Sequence, residues 1–182
     1  MPRSRRPLTV VIVALLLGAL ALGVVLPRRT LTDRRAAADA AFADLRPSLD
    51  ARYATVPSIL AALEQAGARD RTPVRSLRSA LARWNVVARG DDPVALTDTA
   101  NVMEGDVART RALVGATPAL QSSGALTAAY VQYDRALPAP RLVRANTDAV
   151  DAYDAARRGI LRRLAVAVGG FEARPVYLPV TP

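Results

Sequence analysis

The longest apolar stretch of the chain lies close to its N-terminus. Leu8 to Leu26 has no charged residue over 19 positions. As a helix with a rise of about 1.5 Å per residue it would span roughly 28 Å, close to the hydrocarbon thickness of a bilayer. This pattern predicts a transmembrane helix at residues 8–26, preceded by a short basic segment at residues 1–7. The arginines that bracket it are Arg3, Arg5, Arg6, Arg28 and Arg29.

A cleaved signal peptide is the alternative interpretation of this segment. The arginines before it form a basic n-region, and Ala19-Leu20-Ala21 resembles a small-x-small cleavage site. The apolar run continues to Leu26, however, which is longer than the apolar core of a signal peptide. We therefore favour a retained anchor and leave cleavage near Ala21 open. The two flanks carry similar numbers of arginines, so the positive-inside rule does not select the side of the membrane that holds the rest of the chain.

Beyond the anchor, apolar residues recur at steps of three and four, as on one face of a helix. The first such stripe predicts one long helix that ends near Gly67. Pro47 and Pro57 lie inside it, and because proline lacks an amide donor and crowds the preceding turn, a kink or break is expected at each. The stripe consists of Leu31, Ala38, Phe42, Leu45, Leu49, Tyr53, Val56, Leu60 and Leu63.

Four further helices are predicted. Two of them should begin at a cap residue followed by proline, Thr72-Pro73 and Asp92-Pro93. A very short turn joins these two, so they should pack antiparallel. A short helix ends before Pro138-Ala139-Pro140, and a final helix runs to Gly169-Gly170. The fold class is therefore all-α, an antiparallel bundle of four to five helices over residues 30–168, with a Pro-containing irregular tail at residues 169–182.

Composition restricts the chemistry of this bundle. The chain has neither cysteine nor histidine, which excludes disulfides, thiolate metal sites and the side chain that most often transfers protons near neutral pH. An enzyme would have to use carboxylates, hydroxyls and arginine. The sequence also contains no G-x-S-x-G, Walker A or G-x-G-x-x-G motif. We therefore predict no catalytic residues, no cofactor, no metal site and no small-molecule substrate.

The net charge of +9 does not by itself indicate nucleic-acid binding. Five of the 25 basic residues flank the apolar segment, which leaves 20 arginines against 16 acidic residues from residue 30 onward, a balance of +4. That value is ordinary for a soluble surface. The densest basic group is Arg157, Arg158, Arg162 and Arg163, and a solvated surface is the favoured interpretation. Binding of anionic lipid or nucleic acid through arginine remains an alternative.

Two acidic clusters are candidates for carboxylate chemistry. Asp91-Asp92 is better explained by helix capping. Asp148, Asp151 and Asp154 follow one another at intervals of three, but a bundle metal site needs ligands that project inward from facing helices. Asp154 can instead pair with an arginine three or four residues later. A carboxylate-dependent enzyme is thus the least favoured hypothesis.

The aromatic residues fall in the apolar stripes. Trp84, Tyr130, Tyr133 and Tyr153 are therefore expected in the core, with the tyrosine hydroxyls reaching its rim.

Two motifs resemble those of the LemA family. Its first signature falls on Phe42, Leu49, Arg52, Val56 and Pro57, although Ala51, Ala54 and Ser58 replace polar residues usual in the family. A second motif is similar to residues 146–154 and retains Ala149, Val150 and Tyr153. The closing Gly-Phe matches Gly170-Phe171. The likeness covers roughly residues 30 to 178, and the chain resembles a divergent member.

The resemblance implies an N-terminal membrane span, a helical bundle and no established enzymatic activity. The family is usually drawn with its bundle in the cytoplasm. Together with the composition, it favours a single-pass membrane scaffold or adaptor. Its expected partners are the lipid bilayer and another membrane-associated protein, which would dock on a bundle face or on the tail.

Overall fold

The structure is a computed structural model that describes residues 6–158, 166–167 and 169–180, with side chains described from Arg28 onward. Every regular element in these ranges is an α-helix, so the all-α prediction is confirmed. Seven helices are delimited there, more than predicted, because the first long stripe is divided and a four-residue helix was not foreseen. They are α1 (Arg6–Tyr53), α2 (Val56–Gln65), α3 (Thr72–Val87), α4 (Pro93–Gly115), α5 (Pro118–Gln121), α6 (Gly124–Arg135) and α7 (Pro140–Arg157).

The chain divides into two compact units. The first comprises Met1–Ala38 and Ala149–Ala173, and the second comprises Asp39–Asp148 and Arg174–Pro182. In the first unit the Tyr153 hydroxyl donates to the carbonyl of Glu172 at 2.9 Å, which links α7 to the first residues of the tail. Among the side chains described in this unit, the buried apolar ones are Leu31, Ala38, Val150, Tyr153, Ala156 and Phe171.

The second unit holds a continuous hydrophobic core. Within it α3 packs against α4, and α2 packs against α3 and α6. The Tyr53 and Trp84 rings meet edge to face, with centroids 4.7 Å apart. Trp84 is therefore a core residue, as predicted. The apolar stripes of the sequence supply most of the other members, among them Phe42, Leu45, Leu49, Leu63, Leu77, Leu96, Met103 and Val107.

The two prolines of the first stripe have different effects. Pro47 is exposed and lies inside α1, which continues unbroken to Tyr53, so no break occurs there. An exposed proline frees a carbonyl that water can satisfy. The break falls instead just before Pro57. Ala54 and Thr55 are turn residues, and helical structure resumes at Val56. The predicted break at Pro57 is thus confirmed.

Gly67 ends α2 as predicted. Its φ of 77° is left-handed, a conformation that favours glycine. The amide of Ala68 donates to the carbonyl of Leu63 at 2.8 Å, and that of Gly67 donates to Glu64 at 3.0 Å. These two bonds form a Schellman motif, which satisfies carbonyls that the helix end would leave unpaired.

The Asp92-Pro93 pair starts α4 as predicted. The Asp92 carboxylate accepts a hydrogen bond from the Val94 amide at 2.9 Å, which is the geometry of an N-cap. Asp91 has a different role from the one predicted, because its carboxylate pairs with Arg46 at 2.7 Å. The difference follows from position: only Asp92 immediately precedes the first helical residue.

Replacing Asp92 with Ala should lower the free energy of unfolding by about 1 kcal/mol, because the Val94 amide loses its acceptor. Urea unfolding followed by circular dichroism would measure the change. Asp91→Ala is the matched control and should cost no more than about 1 kcal/mol, since the Asp91 side chain is 96% exposed. A larger loss for Asp91→Ala than for Asp92→Ala would contradict the capping assignment.

The boundary between the last two helices lies where it was predicted. α6 ends at Arg135, and α7 begins at Pro140, so residues 136–139 separate them. α7 ends at Arg157, whereas the sequence predicted a helix to Gly169-Gly170. Residues 159–165 and 168 lie outside the described residues.

No helix whose side chains the structure describes is both long and apolar enough to cross a membrane. The predicted membrane segment at residues 8–26 lies outside the residues whose side chains are described, as do Arg3, Arg5 and Arg6. Arg28 and Arg29, which follow the segment, are exposed.

Candidate functional site

A buried ion pair lies at the centre of the second unit. Arg52, in the last turn of α1, and Glu104, in the middle of α4, are 0% and 1% exposed. The guanidinium Nε donates to Glu104 Oε1 at 2.8 Å, and Nη2 donates to Oε2 at 3.1 Å. This two-point contact is the strongest form of an arginine–carboxylate pair.

Three tyrosine hydroxyls surround the same carboxylate. Tyr133 and Tyr177 donate to Glu104 Oε1 at 2.9 and 2.8 Å. The Tyr53 hydroxyl lies 3.2 Å from both Oε1 and the carbonyl of Ala100. The Val180 amide donates to Oε2 at 2.9 Å. Six donor contacts therefore converge on a group that offers about four lone-pair positions.

Arg52 is also bound on its other sides. Its Nη1 donates to the carbonyl of Tyr133 at 3.1 Å, and its Nη2 donates to the carbonyl of Val180 at 3.2 Å. The guanidinium carbon lies 3.8 Å from the centroid of the Tyr133 ring, a cation–π contact. Four hydrogen bonds and a ring face thus compensate the buried positive charge.

Burial fixes the protonation of this network. It raises the pKa of the Tyr53, Tyr133 and Tyr177 hydroxyls, and the negative charge of Glu104 raises each of them further. Burial acts to lower the pKa of Arg52, but the hydrogen bond and charge of Glu104 outweigh it, and the pKa is raised. The phenols therefore remain neutral donors and the guanidinium remains charged at physiological pH.

The network holds residues 174–180, which we call the tail segment. Tyr177 is 1% exposed and reaches Glu104 from this segment. Asn101, one turn before Glu104 on α4, donates from Nδ2 to the carbonyl of Val176 at 2.8 Å and accepts from the amide of Leu178 at 2.9 Å. Its side-chain amide thus binds main-chain groups on both sides of Tyr177.

An ion pair fastens the other end of the tail segment. Arg174 pairs with Asp39 of α1 at 2.8 Å. Between Asp39 and Arg52, α1 advances about 20 Å, which is close to the length of six extended residues. Six helical residues would advance only about 9 Å. The tail segment therefore follows α1 in an extended rather than a helical form.

In this arrangement the polar side chains hold a segment of the chain itself. A carboxylate with six donors has no free lone pair for a substrate or metal ion, and the phenols that surround it stay protonated. Among the residues described, no group of three or more acidic side chains could hold a metal ion. The oxygens of Glu104 instead accept hydrogen bonds from phenol and main-chain donors of the same chain.

The first family-motif positions lie close to this site. Arg52 is part of the network, and Phe42, Leu49 and Val56 are buried in the core of the same unit. Pro57 is exposed at the start of α2.

The second set of motif positions belongs to the other unit. Val150, Tyr153 and Phe171 are buried, and Ala149 is half-buried. Gly170 has a left-handed φ of 64°. These residues are core and turn positions rather than parts of the polar network.

The prediction that the tyrosine hydroxyls reach the rim of the core is wrong for two residues. Tyr133 donates to the buried Glu104, and Tyr130 donates to the buried Thr110 hydroxyl at 2.9 Å. The reason is that both acceptors are polar residues on the buried face of α4. The core placement of both rings is confirmed.

The predicted charged groups on α7 do not converge on a site. Asp148 and Asp151 are exposed. Asp154 accepts from Arg157 at 3.0 Å, the pairing that the spacing predicted. Arg157 also donates to the carbonyl of Phe171 at 3.1 Å, so it is engaged within its own unit. Arg158 is exposed, and Arg162 and Arg163 lie outside the described residues.

Sequence reasoning missed Asn101, Glu104 and Tyr177, although the stripe of α4 contained a signal for Glu104. This residue comes four positions after Ala100 and three before Val107, both buried, so the helical period places its carboxylate on the apolar face. Arg52 likewise comes three positions after Leu49 and four before Val56, both buried. Two opposite charges on the buried faces of two helices therefore indicate a buried ion pair.

Comparison with known proteins adds no relative. No protein-family model matches the chain, and neither a curated protein nor a solved structure matches it.

Proposed function

We propose that this protein is a membrane-anchored scaffold or adaptor of LemA-like type that binds another membrane-associated protein and catalyses no reaction. The uncharged segment at residues 8–26 supports the anchor, since its length and composition suit a single span. The motif resemblance over residues 30–178 supports the family type.

One observation carries the binding part of the proposal. The buried polar site around Arg52 and Glu104 holds a peptide segment, through side chains that bind main-chain groups of residues 176, 178 and 180. A bundle with such a site has the means to bind an extended segment of a protein.

Two features support the absence of catalysis. The chain lacks histidine and cysteine, and its buried carboxylate Glu104 is saturated with donors. The aspartates considered for an enzyme, Asp148 and Asp151, are exposed, whereas carboxylate pairs that share a proton depend on proximity and burial.

Membrane extraction tests the anchor. After alkaline carbonate treatment the full chain should remain in the membrane pellet. The double variant Leu16→Arg/Leu17→Arg should move to the supernatant, because an arginine at the centre of a span costs about 2.5–3.5 kcal/mol. The matched control, Ala36→Arg/Ala37→Arg, adds the same charge at exposed positions outside the segment and should stay in the pellet.

Two results would contradict the anchor. One is wild-type chain released by carbonate, and the other is mature protein that begins near Leu22 by mass spectrometry.

Site-specific photo-cross-linking in intact membranes tests the adaptor role. A photoreactive residue at Val102, exposed beside Asn101 on α4, should give a discrete adduct with one membrane-associated protein. The same residue at Val86, exposed at the end of α3, is the comparison and should not give that adduct. Absence of a protein adduct from Val102 would count against the adaptor.

A further inference from the structure

The tail segment is bound as a peptide ligand would be. Four of its main-chain groups are held by side chains of the bundle: the carbonyl of Val176, the amide of Leu178, and the amide and carbonyl of Val180. Main-chain recognition of this kind does not depend on the side chains of the bound segment. It would serve equally for a segment supplied by another protein.

The selectivity of the groove for a peptide sequence comes from one position of the bound segment. Tyr177 is almost completely buried and donates to Glu104, whereas the next residue, Leu178, is 66% exposed. A phenylalanine at the buried position would fill the space but would leave Glu104 without one of its donors. Loss of this hydrogen bond to a charged group makes phenylalanine the weaker anchor, although five donors to the carboxylate remain. The groove therefore selects tyrosine at one position and tolerates variety beside it.

We propose that the groove formed by Arg52, Asn101 and Glu104 is a binding site for an extended peptide segment of the partner protein, with a tyrosine as its buried anchor. The tail segment is the occupant in cis and competes with the partner. Its sequence around the anchor, Pro-Val-Tyr-Leu-Pro-Val, shows the chemistry that the groove accepts. This inference rests on the proposed adaptor function and names its site.

Competition by the tail segment determines the affinity that an added peptide should show for the groove. A segment tethered to its own groove acts at an effective concentration in the millimolar range. A free peptide with the same contacts therefore binds the wild-type chain weakly. Loosening the tethered tail should make the groove available, so the affinity for added peptide should rise.

The test uses a fluorescent synthetic peptide of residues 172–182 and the full chain in detergent, with binding followed by fluorescence anisotropy. The Tyr177→Ala chain should bind this peptide at least about tenfold more tightly than wild type, because its own anchor is lost. Leu178→Pro is a second variant. It removes the amide bound by Asn101 and replaces an exposed side chain, and it keeps the preceding residue in the extended conformation that the tail segment already has. It should raise the affinity about three- to tenfold, the equivalent of one hydrogen bond.

Three controls identify the groove. The Tyr177→Ala peptide should lose measurable binding to the Tyr177→Ala chain, and the Tyr177→Phe peptide should bind about tenfold more weakly than the unaltered one. Adding Asn101→Ala to the Tyr177→Ala chain should reduce binding of the unaltered peptide about three- to tenfold.

Three outcomes would overturn the proposal. The first is that both tail variants keep wild-type helical circular dichroism yet bind the peptide no better than wild type. The second is that the tyrosine-free peptide binds equally well. The third is a wild-type dimer that Leu178→Pro dissociates, which would assign the groove to a second copy of the chain. Each is independent of the carbonate and cross-linking results, so failure here is distinguishable from failure of the anchor or adaptor role.

Discussion

Replacing Glu104 with Gln is expected to lower the free energy of unfolding by about 3–5 kcal/mol, the cost of leaving a buried charge without its partner. The substitution keeps the size of the side chain but removes the charge that compensates Arg52. It also places an amide donor among donors that all need an acceptor. Since whole domains are stable by only about 5–15 kcal/mol, this change should bring the bundle close to unfolding. Urea unfolding of the full chain in detergent, followed by helical circular dichroism, would measure it.

An exposed pair provides the matched control for this substitution. Glu64 pairs with Arg78 at 2.5 Å, and both side chains are 40% exposed. Glu64→Gln should cost no more than about 1 kcal/mol, because water already solvates both charges. If the two glutamine variants were equally stable, the buried network would contribute no more to the free energy of unfolding than a surface ion pair does.

The second large effect is expected at alkaline pH. Burial raises the pKa of Tyr53, Tyr130, Tyr133 and Tyr177 in the folded chain. Above a pH of about 10 the unfolded chain releases these protons while the folded chain retains them, so the stability that is complete below pH 10 falls as the pH rises. Each tyrosine contributes at most about 1.4 kcal/mol per pH unit, and the four together at most about 5.5. The free energy of unfolding at pH 8, 10 and 11 would give this slope.

Phenolate absorbance separates this mechanism from general alkaline damage. The four phenols should ionise together with the loss of helical circular dichroism rather than before it. Tyr130→Phe should make this slope shallower, since it removes one of the four groups. Phenols that ionise near pH 10 while the helices remain intact would mean that the network is open to solvent.

The period of apolar residues was sufficient to predict most of the fold. The stripes of α1, α3 and α4 contain the buried residues Leu49, Leu77 and Met103 because a helix can bury only one face. Helix ends at Gly67 and Asp92 followed from backbone conformation and capping, which are local. The short α5 was not predicted, because four residues are too few to show a helical period.

The candidate site depended on contacts that a local pattern does not encode. Arg52 and Glu104 lie 52 positions apart, and Tyr177 lies 73 positions after Glu104. Their positions on apolar stripes indicated burial for the first two. The tail has no helical period, however, and its three prolines favoured an irregular segment without indicating where it binds. Only the packed bundle brings Asn101 opposite residues 176 and 178.

The order in which the chain is synthesised bears on how the buried ion pair forms. Arg52, Glu104 and Tyr133 leave the ribosome before Tyr177 and Val180, which supply two of the six donors to the carboxylate. The bond from Arg52 to the Val180 carbonyl closes a loop of 128 residues. Contacts of such sequence separation form slowly because loop closure must come first. During translation the helices can therefore assemble with a charged cleft still open to water, and only the last residues described seal it.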